Sequence, residues 1–170
     1  MVEIRIASEK DIRNLSTMLL KLLEDENSQV YRENVAKFGI PKDRVRKAFS
    51  LETLLNSRLD RGDEFFLSFD GDELIGFAQL VKLDSSAAEL DRIIIFPEHS
   101  RKGVGTRLML YIIEYAKKSG IKRIIANAGG SETQARKFYE KNGFEMKAEK
   151  TVETPWGNEL RLIEYELRIA

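Results

Sequence analysis

The sequence predicts an α/β fold in which a mixed central sheet is flanked by helices. Three observations carry that expectation. Apolar residues recur with period two and with helical spacing in the order strand, helices, three strands, helix, strand, helix, two strands. The run Ile93-Ile94-Ile95-Phe96 is nearly continuous and β-branched, as in a central strand covered on both faces. A glycine loop at residues 100–106 follows that run and opens a helix, so the strands before and after the helix are expected to be parallel and joined right-handedly.

Each element has its own signal. Val2, Ile4 and Ile6 alternate with Glu3 and Arg5, the period of a half-buried strand, and Ser8 with Asp11 caps a helical run through Leu15, Leu19 and Leu23. Residues 24–62 are polar and helical in flavour, broken at Gly39-Ile40-Pro41, and read as one or two helices around a mobile turn. Residues 65–69 and 74–83 form a β-hairpin, because Asp70-Gly71 supplies the positive φ of a tight turn. A third strand covers residues 89–96 and stops at Pro97; the helix after the glycine loop carries Val104, Leu108, Ile112 and Tyr115 and closes at Gly120. Residues 121–128 form another buried strand, and Ser131 with Gln134 reads as the capping box of a helix through Phe138-Tyr139. Two closing strands at 144–152 and 159–169 flank a loop with Trp156. No repeat, low-complexity tract or linker interrupts the 170 residues, which are expected to form a single domain, 1–170, with 24–62 as a variable helical segment.

Composition narrows the function classes. Lys+Arg and Asp+Glu stand at 28 each, so no net field draws the chain to nucleic acid or an anionic membrane, and a partner must be recognised locally. There is no cysteine, which removes disulfides, a cysteine nucleophile and thiolate metal sites, and the single histidine, His99, disfavours a catalytic triad or a histidine metal cluster. No metal is expected. No apolar run reaches the ~18 residues of a membrane span, nor do residues 1–6 resemble a signal peptide, so a soluble cytoplasmic protein is expected.

The glycine loop is where chemistry is legible. Gly103 and Gly105 would let backbone N–H groups approach an anion at a helix N-terminus, and Arg101, Lys102 and Arg107 add cations suited to a ligand with several phosphates. A dinucleotide fingerprint fails because Leu108 stands where a third glycine is needed, and a P-loop fails because Thr106-Arg107 follows Gly105. A lone Gly-x-Gly is weak, and a simple strand-to-helix turn competes with it.

Two blocks together are more specific. Ser100-Arg101-Lys102-Gly103-Val104-Gly105-Thr106 resembles the acetyl-CoA signature of GNAT acetyltransferases, and Ala135-Arg136-Lys137-Phe138-Tyr139-Glu140-Lys141-Asn142-Gly143-Phe144 resembles the family's second block, in the right order. The resemblance implies a GNAT fold with a splayed parallel strand pair holding acetyl-CoA, and an acetyl-CoA-dependent N-acetyltransferase that acts on an amine acceptor. Arg101, Lys102, Gly103, Val104, Gly105 and Thr106 would wrap the pyrophosphate, while Ile93, Ile94 and Ile95 would pair their backbone with the pantetheine arm. Tyr139 stands where the family keeps the hydroxyl that protonates the leaving thiolate; a packed helix tyrosine is the competing reading. Glu132, a cofactor-binding candidate by its position, replaces an Asn that commonly bonds the cofactor arm, and Ser100 replaces the usual Gln or Arg, both of which imply a weaker grip. Asn127 stands where the ribosomal-protein branch has its base glutamate, which disfavours that branch.

A base is desirable because an amine near pKa ~10 is almost wholly protonated at neutral pH. Glu89 occupies the position at which the histone-acetyltransferase branch keeps its base, and simple alternation puts Glu89, Asp91, Ile93 and Ile95 on one side of the strand. A solvated carboxylate is an equal reading of Glu89, with Asp91 in reserve and His99 a surface residue. A non-catalytic acyl-CoA-binding regulatory module would keep the glycines yet need neither Glu89 nor Tyr139. A homodimer by extended strand pairing is compatible with the sequence.

Overall fold

The computed structural model describes residues 2–96, 99 and 102–169. Seven strands form one sheet in the order β1-β2-β3-β4-β5-β7-β6: β1 (Val2–Ile6), β2 (Glu64–Asp70), β3 (Glu73–Lys82), β4 (Ala87–Ile95), β5 (Arg123–Gly129), β6 (Glu145–Glu153) and β7 (Glu159–Arg168). Neighbours are antiparallel except β4 and β5, which are parallel and connected through helix α5 (Val104–Lys118). The mixed sheet flanked by helices is thus present. Pro97, expected to end the third strand, lies outside the described residues.

Helices cover both faces, and strand alternation divides the core accordingly. Phe66, Ala78, Leu80 and Leu90 point to the side of α5 and α6 (Thr133–Lys141), where Leu108, Met109, Ile112 and Tyr139 are buried. Phe65, Leu67, Phe77 and Phe96 point to the other side, against Ile12, Leu15 and Leu19 of α1 (Glu9–Leu23). That helix starts as its sequence dictates: Ser8 Oγ accepts from the Asp11 N–H at 3.1 Å, Asp11 returns a bond to the Ser8 N–H at 3.0 Å, and Arg5 clamps the carboxylate at 2.8 Å.

Residues 24–62 hold more structure than one or two helices. A short α2 (Gln29–Tyr31) runs into a π-helical stretch (Arg32–Lys37), followed by α3 (Lys42–Ala48) and α4 (Leu51–Arg61). The polar pattern hid these breaks, because short segments at the edge of a core need few apolar residues. The π stretch is tied to the β6–β7 loop: Trp156 Nε1 and Asn158 Nδ2 both donate to the Phe38 carbonyl at 3.3 Å. The guanidinium of Arg44 lies 5.6 Å from the Trp156 ring.

Two local readings are corrected. Ser131 and Gln134 form no capping box: α6 begins at Thr133 with Glu132 as its N-cap and no side-chain cap bond. Glu132 turns back instead and accepts from the Gly129 N–H at 2.7 Å, satisfying the end of β5. Nor is β4 covered on both faces along its length; Asp91 is exposed and residues 92–95 are only partly buried because the sheet opens beside them.

Candidate active site

The site starts with a failure of strand pairing. β4 and β5 are in register from Ala87 with Arg123 to Leu90 with Ala126, and no further pairs follow although β4 continues to Ile95 and β5 to Gly129. Residues 92–95 keep their pairing with β3 and present a free edge toward the gap. A second irregularity lies at the same point. Gln79 and Leu80 are consecutive but pair with Arg92 and Leu90, so Asp91 is the extra residue of a β-bulge.

The bulge reverses which side each later side chain faces. Glu89 shares its face with Arg92 and Ile94, while Ile93 and Ile95 turn to the α5–α6 side with Leu90. The expectation that Glu89, Asp91, Ile93 and Ile95 share one side is therefore wrong. Alternation cannot reveal a one-residue insertion.

A groove of about 850 Å³ occupies the opening. Ile93 and Ile95 form its floor, with Gly103, Gly105 and Thr106 at the start of α5 and Phe138 and Tyr139 of α6 opposite. Gly103 caps α5 at φ +76°, a left-handed conformation that suits glycine, and a Cβ there would meet nothing within 4 Å. Gly105 is constrained by neighbours instead: a Cβ would stand 3.2 Å from the Phe138 ring and 3.6 Å from Ile95. The remaining residues of the loop behave differently from one another. Val104 is buried in the core, Lys102 is exposed, and Arg107 is turned away, donating to the Val2 carbonyl at 3.1 Å. Ser100 and Arg101 lie outside the described residues. His99 pairs its ring with Glu73 at 3.0 Å, away from the groove lining.

Tyr139 is buried, its ring 5.4 Å from Phe144 and 5.7 Å from Tyr165. Its hydroxyl has no hydrogen-bond partner among the described residues. Burial first, then the charges of Glu132 and Asp91, push its pKa up to about 12, so the group is an O–H donor at any physiological pH. On the opposite sheet face, half-buried Glu89 accepts from Asn127 Nδ2 at 3.4 Å. Burial and the neighbouring Asp91 raise its pKa above the ordinary glutamate value, against the pull of Asn127 and Lys150. Asp91 is thus felt by both groups, from the bulge where the strands part. Asn127 Oδ1 is buried without a partner.

Other residues at the groove had no sequence signal. Gln29, Glu33 and Lys37, from α2 and the π stretch, also line it. Only the fold brings them there, and the irregular helix that presents them is a type that often sits at functional sites. Glu132, read as a cofactor contact, is present in the wall but paired with Lys37 at 3.6 Å. Among the described residues no group of three or more metal-ligating side chains is assembled, and no helix is long and apolar enough to cross a membrane.

A parallel pair thus splays beside a glycine-opened helix, with the Tyr139 hydroxyl on one face of the sheet and the Glu89 carboxylate on the other. The chain belongs to the GNAT acetyltransferases: the model of the Acetyltransferase (GNAT) family matches residues 17–144. It is 30% identical over 149 residues to the spermidine N(1)-acetyltransferase of Thermoplasma acidophilum, covering 85% of this chain and 89% of that protein. It is 38% identical over 89 residues to the uncharacterized N-acetyltransferase YsnE of Bacillus subtilis, a match to 50% of this chain that spans only 59% of that relative's length. Among solved structures, the PaiA N-acetyltransferase of Thermoplasma acidophilum in complex with coenzyme A is similar with a TM-score of 0.70 at 24% identity, covering 98% of this chain and 99% of that one.

Proposed function

We propose that this chain transfers the acetyl group of acetyl-CoA directly to a primary amine, of a small molecule or of a peptide. The observation that carries the reading is the splay: the free edge of β4, residues 92–95, lies in one groove with the glycine-opened N-terminus of α5. A strand edge complements a chain of amides as another strand would, and a helix N-terminus complements a diphosphate. Coenzyme A joins those two chemistries, and a groove of about 850 Å³ is of the size that takes such a ligand.

In this reading Ile93, Ile94 and Ile95 offer backbone groups to the arm. The first-turn amides of Gly103, Val104, Gly105 and Thr106 hold the diphosphate, with Lys102 and Arg101 as flanking cations. Acetyl-CoA supplies a thioester already activated for acyl transfer. Attack is direct because the chain has no cysteine to carry the group.

Glu89 takes the proton of the acceptor ammonium, directly or through a water, and its raised pKa makes it a better base than a solvated carboxylate. Tyr139 donates its O–H toward the charge that develops on sulfur. Full transfer from a group at about 12 to a thiolate of ordinary pKa ~8.5 is uphill, so stabilising that charge is its main contribution. The two groups work from opposite faces of the sheet, through the gap between β4 and β5.

The likeness to a spermidine acetyltransferase supports an alkyl amine as the first acceptor to test. The test is thiol release from acetyl-CoA with a panel of polyamines, amino acids, aminoglycosides and peptides. Amine-dependent release is expected; coenzyme A binding with no release across the panel would replace this reading with a non-catalytic acyl-CoA-binding module.

A further inference from the structure

We propose that Lys37 is a cofactor-binding residue that compensates for the carboxylate of Glu132 in the groove wall; the inference rests on the groove being the coenzyme A site. Lys37 comes from the π-helical stretch, in the segment least legible from sequence, yet it lines the groove of about 850 Å³ and also the adjoining cavity of about 300 Å³. Its ammonium stands 3.6 Å from Glu132 Oε2, and the other oxygen of that carboxylate holds the Gly129 N–H at 2.7 Å. The pair therefore ties the π-helical lining of the groove to the turn between β5 and α6.

The chemistry of Glu132 makes such a partner necessary. An ionised carboxylate can only accept hydrogen bonds, so it offers nothing to the carbonyl oxygens of an amide-bearing arm. It also repels the phosphates of an anionic ligand. An ammonium has three donors, and at 3.6 Å Glu132 meets Lys37 as an ion pair beyond hydrogen-bond length, which leaves those donors to a ligand. Lys37 thus offsets the charge of the glutamate and offers donors to the groove beside a side chain that has none. Its side chain is 43% exposed and that of Glu132 is 21% exposed, so the pair is accessible to a ligand and partly screened by solvent.

Two other cations near the groove among the described residues do not take this role. Arg107 is engaged with the Val2 carbonyl. Lys141 also lines the groove, but it shows no ion pair with Glu132 and lies at the far end of α6 from it.

The test is calorimetric titration of coenzyme A itself, with no acceptor and no turnover, into wild-type protein and into Lys37→Ala, Lys37→Arg, Glu132→Gln and the Lys37→Ala/Glu132→Gln double variant. A partly screened charge is expected to be worth about twofold to fivefold in affinity at low salt. Lys37→Ala should weaken binding by that factor, Lys37→Arg should retain it, and Glu132→Gln should bind at least as tightly as wild type. The double variant should return close to wild type, because removing both charges removes the repulsion that Lys37 offsets. The losses should shrink at high salt. Thermal melting without ligand separates a folding defect from a binding defect.

Unchanged affinity in Lys37→Ala at low salt, or a double variant as weak as Lys37→Ala, would overturn the proposal. Failure of wild type to bind coenzyme A would instead overturn the reading of the groove. Wild-type binding that is lost in Gly105→Glu but indifferent to Lys37 would remove this inference alone.

Discussion

Replacing Tyr139 by phenylalanine separates its chemistry from its packing. The ring sits among Phe138, Phe144 and Tyr165 at centroid distances of 6.0, 5.4 and 5.7 Å, and phenylalanine preserves all three contacts. The hydroxyl gives up no hydrogen bond among the described residues, so stability should change by no more than about 0.5 kcal/mol. Catalysis should not be spared. Loss of a donor aimed at developing charge typically costs about 10²- to 10³-fold, which at ~1.36 kcal/mol per decade corresponds to roughly 3–4 kcal/mol of transition-state stabilisation. Steady-state thiol release should show a fall in kcat with little change in KM for acetyl-CoA, while chemical denaturation shows an unaltered fold. Because burial pushes Tyr139 up to about 12, wild-type activity should show no alkaline loss attributable to this group below about pH 11. Wild-type turnover in Tyr139→Phe would assign the residue to packing and refute its role as donor to the developing charge.

Glu89→Gln should lose most rate near neutral pH and recover as rising pH supplies free amine; a uniform loss at every pH would make Glu89 an electrostatic anchor instead. Its raised pKa has an opposite consequence for stability. A carboxyl whose folded pKa lies above its unfolded value favours folding below that unfolded value, and the contribution is lost as pH rises through the folded one. Glu89→Gln should therefore melt higher than wild type at pH 7, with the advantage gone below about pH 4; a lower melting point at pH 7 would contradict the burial argument. Asp11 behaves in the reverse sense: the Arg5 guanidinium and the Ser8 cap hold its carboxyl down to about 2. That stabilisation is full above the unfolded carboxylate pKa and lost as pH falls through the folded value, so Asp11→Asn should cost about 2 kcal/mol at pH 7 and little near pH 2 in denaturant melts. Gly103→Ala should cost about 1 kcal/mol because of its φ of +76° while sparing the groove, whereas Gly105→Glu should abolish coenzyme A binding by calorimetry. Equal binding losses in the two variants would mean that neither backbone argument holds.

What the sequence revealed was local. Ser8 with Asp11, and Gly71 in the hairpin turn at φ +63°, follow from residues within a few positions, and the structure holds both as expected. The helix around Leu108 follows from its own spacing, whereas the helix around Phe138 is present although the capping box that suggested it is not. The misses share a different cause. The bulge at Asp91 leaves no mark on alternation, yet it decides that Glu89 faces away from Ile93 and Ile95. Arg107 looked like a phosphate ligand, but its direction is set by a carbonyl 105 positions away. Ser131 and Gln134 matched a capping pattern, and Glu132 between them took over the neighbouring backbone. Lys37 belongs to a stretch whose π-helical path no periodicity predicts.

The account stands on the unpaired edge of β4 as the cradle of the cofactor arm, and amide hydrogen exchange on coenzyme A binding addresses that edge directly. The amides of residues 92–95 that face the gap should become protected when coenzyme A is added, together with those opening α5 at Val104 to Thr106. Amides of β4 already bonded to β3, and those of β1 and β6, should be unchanged. Tight binding of coenzyme A with no new protection at residues 92–95 would contradict the account.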